Sequence, residues 1–110
     1  MFSGCYNAQA IDVSHFDTSK VTNMAFMFSD CYKIVQLDVS SFDTGNVVNM
    51  EHTFAECENL EFVDLSNFNT SKVETMEGMF AGCKNLKTLD LSSFDTSKVT
   101  NMYSAFNEIR

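Results

Sequence analysis

Cysteine, histidine and aspartate are the residue types here that could hold a metal or serve as nucleophile and base, and their spacing decides what they can do. Cys5, Cys31, Cys57 and Cys83 stand 26 residues apart. Asp12, Asp38, Asp64 and Asp90 keep the same step. The two histidines do not: His15 and His52 are separated by 37 residues, fall in different columns and form no pair. Ser14 and His15 adjoin Asp12 in sequence, but an extended chain sends adjacent side chains to opposite faces, and a catalytic triad is a matter of geometry. There is no glycine-rich phosphate loop, no His-Glu metal motif and no recurring lysine nucleophile. The residues therefore read as a non-enzymatic chain that needs no cofactor.

The same step runs through the apolar positions. Phe2, Phe28, Phe54, Phe80 and Phe106 obey it, as do Phe16, Phe42, Phe68 and Phe94, Met24, Met50, Met76 and Met102, and Val21, Val47, Val73 and Val99. So many columns in register define a repeat, and a period between 20 and 50 residues signals a solenoid or similar array in which each unit buries its apolar face against its neighbours. The 110 residues hold about four such units with no linker between them. They read as a single array, 1–110, that opens and closes in mid-repeat without polar caps. Uncapped ends predict end-to-end self-association.

Composition narrows the function classes. At 45% hydrophobic and 20% charged the chain is globular. No run of 18 apolar residues exists to span a bilayer. Fifteen acidic against seven basic residues give a net charge of -8, which repels phosphate backbones and anionic membrane surfaces. Nucleic-acid binding and membrane insertion are thereby disfavoured. No basic segment followed by an apolar core marks a signal peptide, so the terminus says nothing about localisation.

The elements that must position these columns follow from periodicity. Leu86, Leu89 and Leu91 alternate with Thr88, Asp90 and Ser92, and Ile34, Leu37 and Val39 with Gln36, Asp38 and Ser40; period two predicts a strand with one buried face. Stacking every 26 residues makes these strands a parallel sheet at about 4.8 Å per step. A second short extended segment is expected at Val21 to Met24, followed by a tight helical or 3₁₀ turn through the Phe and Cys columns. The expected inward set is Val21, Met24, Met27, Phe28, Cys31, Ile34, Leu37, Val39 and Phe42. Asp17-Thr18-Ser19 and its equivalents at Asp43, Asn69 and Asp95 carry turn chemistry, the Asp or Asn accepting from the backbone two residues on.

Stacking also constrains the cysteines. Cys5 and Cys83 would lie roughly 14 Å apart, too far to share a zinc ion whose thiolates each sit about 2.3 Å from it. Neighbouring cysteines on parallel vectors keep their Cβ atoms near 4.8 Å, beyond the usual disulfide range of about 3.5 to 4.5 Å. Ile109 shares the column, so a ladder of small buried hydrophobes is expected.

With the columns in place, a resemblance emerges. Leu86-x-x-Leu89-x-Leu91, Leu60-x-x-Val63-x-Leu65 and Ile34-x-x-Leu37-x-Val39 match the strand signature of leucine-rich repeats. The full unit, with LDLSSFDTSKVTNM and MFAGCKNL, resembles the 26-residue repeats of BspA-like bacterial surface proteins over the whole chain. It departs from the common pattern in one respect: Phe16, Phe42, Phe68 and Phe94 stand where an Asn or Cys usually follows the strand. The resemblance implies a right-handed, mainly β, α/β-class solenoid on the bacterial cell surface or secreted, used to attach to host or neighbouring-cell proteins.

The candidate site is the exposed side of the predicted sheet. Asp12, Asp38, Asp64 and Asp90 point outward as a row of like charges, which must be solvated or bridged. Hydrogen bonding to Ser14, Ser40, Ser66 and Ser92 is the simplest reading; a divalent cation between adjacent carboxylates and a ligand with basic groups are the alternatives. Beside them Ala10, Gln36, Phe62 and Thr88 vary from unit to unit, as do His15, Ser41, Asn67 and Ser93. An aromatic such as Phe62 on a polar face has the character of an interface anchor. Tyr6, Tyr32 and Tyr103 lie on turns. Partner binding through Gln36, Phe62, Thr88, Asp38, Asp64 and Asp90 is the expected function, with a ligand-free stalk or coat segment and cation-dependent assembly through the aspartates as alternatives.

Overall fold

Hydrogen bonds between residues 26 apart, or nearly so, organise this chain. The computed structural model describes Val13 and residues 17–87 and 89–102. Two strands, β1 (Gln36–Leu37) and β2 (Phe62–Val63), pair in parallel with Gln36 opposite Phe62 and Leu37 opposite Val63. The Glu61 amide donates to the Val35 carbonyl (2.7 Å) and the Lys87 amide to the Glu61 carbonyl (3.0 Å), carrying the ladder one unit further. A second parallel ladder, where Val21 to Met24 predicted an extended segment, joins Asn23, Asn49, Thr75 and Asn101.

The strands are shorter than the alternation implied, and the aspartates explain why. Asp38 accepts from the Ser40 amide (3.0 Å), Asp64 from Ser66 (2.9 Å) and Asp90 from Ser92 (2.9 Å). A side chain that takes the amide two residues ahead turns the backbone out of the ladder. Asp38 and Asp64 thus stand just past the ends of β1 and β2, not in mid-strand.

The segment after Met24 is neither helical nor 3₁₀. Phe26, Asp30, His52, Glu56, Gly78 and Gly82 all have φ between 52° and 78°, a left-handed conformation that interrupts any right-handed helix. Alternate amides face the next unit instead: Met24, Phe26, Phe28 and Asp30 donate to the carbonyls of Asn49, Glu51, Thr53 and Ala55 at 2.8 to 2.9 Å. Local closure comes from i to i+3 turns such as Met24 to Met27 (3.1 Å) and Gly78 to Ala81 (3.1 Å). Phe26 is the third residue of its turn, the position that a type II turn holds at positive φ.

The core is the inward set repeated. Met24, Met27, Phe28, Cys31, Ile34, Leu37, Val39 and Phe42 are buried, and Val21 is half-buried. Its equivalents Val47 and Val73, with a unit on either side, are fully buried. Phe28, Phe54 and Phe80 form a continuous ring stack, with centroids 5.7 and 5.2 Å apart. Phe42 and Phe68, at the corner where leucine-rich repeats carry Asn or Cys, are buried as apolar fill.

Gly78 has a steric reason. A Cβ there would lie 2.5 Å from Nε2 of His52, whose ring stacks on Phe26 at 4.8 Å. Gly78→Ala is expected to displace that ring and lower stability by about 1 to 2 kcal/mol, read as a fall in the thermal midpoint. Adding His52→Ala should restore the part due to the clash. At Gly82 the obstruction is the exposed Glu56 carboxylate, which can swing into solvent, so Gly82→Ala should cost less; equal losses at both positions would exclude ring displacement as the cause.

Candidate interaction face

Gln36 and Phe62 are outward-facing partners across β1 and β2, and both are exposed, Phe62 at 44%. Leu37 and Val63, one residue on, turn into the core. Asp38 and Asp64 follow at the same edge. Together Gln36, Leu37, Asp38, Ser40, Phe62 and Asp64 line a recess of about 240 Å³. Four of the residues expected at the site are thereby brought into one place, and Asp90 lies one unit further along. Asp12 and Thr88 fall outside the described residues, as do His15, Tyr6 and Tyr103.

Two of the carboxylates are held ionised. Ser66, through its amide and then its hydroxyl, keeps Asp64 below the usual carboxylate range, while Asp38 and Asp90 on either side push the other way. The Ser92 hydroxyl and amide likewise lower Asp90. Basic side chains nearby are engaged with glutamates: Lys84 approaches Glu58 at 3.7 Å and Lys87 approaches Glu61 at 3.1 Å. Among the described residues no group of three or more His, Cys, Asp or Glu is placed to hold a metal ion.

Among the described residues the second variable column is exposed, as expected, and also joins the units. Ser41 Oγ donates to the Val13 carbonyl (3.5 Å), Asn67 Nδ2 to that of Ser40 (2.7 Å) and Ser93 Oγ to that of Leu65 (3.0 Å). These side chains are exposed, yet they serve as links between units. Asn46 and Asn59 do the same on other edges, donating to the carbonyls of Ser19 (2.8 Å) and Tyr32 (2.7 Å). Short polar residues one unit ahead of a carbonyl were the available signal.

The cysteines belong to the core. Cys31, Cys57 and Cys83 are buried, and the latter two donate to the carbonyls of Phe28 and Phe54 at 3.1 Å. Burial pushes the Cys57 thiol well above its ordinary range and that of Cys83 up to about 12. A thiol so held is a poor nucleophile and a poor metal ligand, because both roles require the thiolate.

Threonine supplies a feature that spacing alone did not disclose. Thr44 is buried, donates to the Asn69 carbonyl (3.1 Å) and accepts from the Asn69 amide (2.8 Å). Thr18 repeats the exchange with Asp43, and Thr70 with Asp95. The expected Asx turns run beside them, with Ser19, Gly45, Ser71 and Ser97 donating to Asp17, Asp43, Asn69 and Asp95.

The signature of a family described as "Mycoplasma protein of unknown function, DUF285" matches residues 1–110. The chain belongs to the DUF285 family. A leucine-rich repeat protein from Eubacterium ventriosum, known from its crystal structure, is similar to this DUF285 chain with a TM-score of 0.52 and 21% identity over 82% of the chain. At that identity the likeness speaks for fold: the DUF285 chain is leucine-rich-repeat-like, with a small parallel sheet and no helix among its described residues. The chain spans 22% of the length of that protein. No curated protein matches. No helix among the described residues is long and apolar enough to cross a membrane.

Proposed function

We propose that this DUF285 chain is a protein-interaction repeat segment, wound as a right-handed leucine-rich-repeat-like solenoid, that binds its partner through the face around Phe62. One observation carries the reading: a large aromatic, in a column that holds Ala10, Gln36 and Thr88 in the other units, stands half-exposed over a recess. Repeat proteins use such extended faces for partner binding. The recess is smaller than the roughly 300 to 1,000 Å³ of small-molecule sites, which favours the side chains of a protein over a free metabolite. The BspA-like resemblance supports a cell-surface or secreted setting and attachment to host or neighbouring-cell proteins.

The test is capture by immobilised chain from a panel of host extracellular-matrix and bacterial surface proteins, repeated with Phe62→Ala and Gln36→Ala. Loss of an interface aromatic is expected to weaken binding by about 2 kcal/mol, roughly 30-fold, while the melting temperature stays nearly unchanged because neither side chain is in the core. Unaltered capture by the double variant would remove the assignment to this face. Absence of any partner would favour a stalk or coat segment.

A further inference from the structure

We infer, resting on the binding role just given to this face, that its occupant is a basic peptide segment, with Lys or Arg side chains over Asp38, Asp64 and Asp90 and an apolar side chain against the ring of Phe62. The site is the outward sheet face and its recess; charge decides what fills it.

Three carboxylates project from successive units, about 4.8 Å apart in a parallel sheet, and all three are exposed. Like charges at that spacing oppose one another, and a cation laid across them converts the repulsion into attraction. The chain itself does not provide that cation for Asp64 or Asp90, since among the described residues the nearby lysines pair with Glu58 and Glu61. Each of the three accepts a serine amide in a short turn, so the carboxylate is already oriented and little side-chain freedom is lost on binding.

Phe62 adds what a purely ionic strip lacks. Its ring lies at the edge of the same recess as Asp38 and Asp64, so an apolar side chain entering there sets the register of the flanking cations. A second copy of this chain is the wrong occupant: it would bring another net charge of -8 and the same aspartates face to face. Nucleic acid and anionic lipid fail for the same reason.

The probe is a fluorescein-labelled ten-residue peptide of alternating Arg and Leu, titrated with the full chain at low salt and followed by anisotropy. The comparison peptides replace Arg by Glu, or Leu by Ser. The decisive variant is Asp38→Asn/Asp64→Asn/Asp90→Asn, because asparagine still accepts the serine amide and so removes charge while keeping the turn. Its control is Asp17→Asn/Asp43→Asn/Asp95→Asn, which changes net charge equally at the other turn column, where Asn69 already stands in the same role.

The face triple is expected to lose about tenfold in affinity, the middle of the range that three exposed ion pairs give, and the control less than threefold. Phe62→Ala should weaken the Arg-Leu peptide and leave the Arg-Ser peptide unchanged. Single Asp64→Asn, melting like the parent, covers the case in which a triple variant fails to fold. Equal losses in the two triples would reduce the effect to diffuse charge and overturn the proposal, as would absence of peptide binding or equal binding of the Glu-Leu peptide. Protein capture that depends on Phe62 but ignores the face triple would leave the interaction face standing with a non-basic occupant. Capture indifferent to Phe62 as well would remove the face itself.

Discussion

Phe54→Ala should melt the repeat array at least about 12 °C below the parent, the shift that a loss of 3 or more kcal/mol produces in a domain of this size. Phe54 is fully buried between Phe28 and Phe80, and both rings lie nearly parallel to it, at 7° and 9°. Its removal deletes two ring contacts at once, each worth about 0.5 to 1.5 kcal/mol beyond burial. Relaxation into the space is blocked by the backbone. The Phe54 amide donates to the Met79 carbonyl (2.9 Å) and the Phe28 amide to the Thr53 carbonyl (2.9 Å), so the spacing between units is fixed on both sides of the gap. The cavity term therefore stays nearly whole. In a repeat array the loss also weakens both neighbouring interfaces, since each unit is stable only through contact with the next. Against a total stability of about 5 to 15 kcal/mol, this is a large share of the margin. Thermal unfolding by circular dichroism measures it, with Phe54→Leu, which keeps most of the volume, expected to lose less than half as much. A shift of only a few degrees for Phe54→Ala would mean that the ring stack is not what holds successive units together.

That prediction could be written from the sequence, because the phenylalanine column repeats and burial follows from repetition. Met24, Phe28, Cys31, Ile34, Leu37, Val39 and Phe42 all lie where period two and the 26-residue step put them. The gathering of Gln36, Phe62, Asp38 and Asp64 on one face follows from the same two periods. The conformation of 24–30 was not legible in this way. Its left-handed residues occupy two columns, Phe26, His52 and Gly78 in one and Asp30, Glu56 and Gly82 in the other. Phe and His at φ near 60° conceal what Gly78 alone would have signalled. The force that holds them there is non-local: the amides of Phe26, Asp30, His52 and Glu56 are claimed by the carbonyls of Glu51, Ala55, Glu77 and Ala81 in the next unit, which no local propensity encodes. Strand length was misjudged for a related reason. Alternation reports which side chains are buried, whereas the Asp38 and Asp64 turns decide where backbone pairing stops.

Threonine gives the sharpest case of a signal present but unread, and it makes its own prediction. Thr18, Thr44, Thr70 and Thr96 form an unbroken column within a stretch whose aspartates and serines account for a turn. Turn chemistry explains Asp43 and Gly45 without asking anything of Thr44. Yet Thr44 is 1% exposed and its hydroxyl both donates to and accepts from the backbone of Asn69, joining one unit to the next. Thr44→Val keeps the shape and the β-branch but removes both bonds, and it leaves the amide and carbonyl of Asn69 facing a methyl group. The two bonds are part-buried and each contributes about 0.5 to 1.5 kcal/mol, so Thr44→Val should destabilise the array by about 1 to 3 kcal/mol despite being nearly isosteric. Thr44→Ser retains the hydroxyl and should recover most of the loss, being short only of a methyl. Thr96→Val, at an exposed member of the column, is the matched control and should change stability by no more than about 0.5 kcal/mol. Urea denaturation of the four proteins separates the readings. Equal stability of Thr44→Val and the parent would show that packing of the column, and not its reciprocal hydrogen bonds, is what threonine contributes, whereas a loss restored by serine assigns the effect to the hydroxyl.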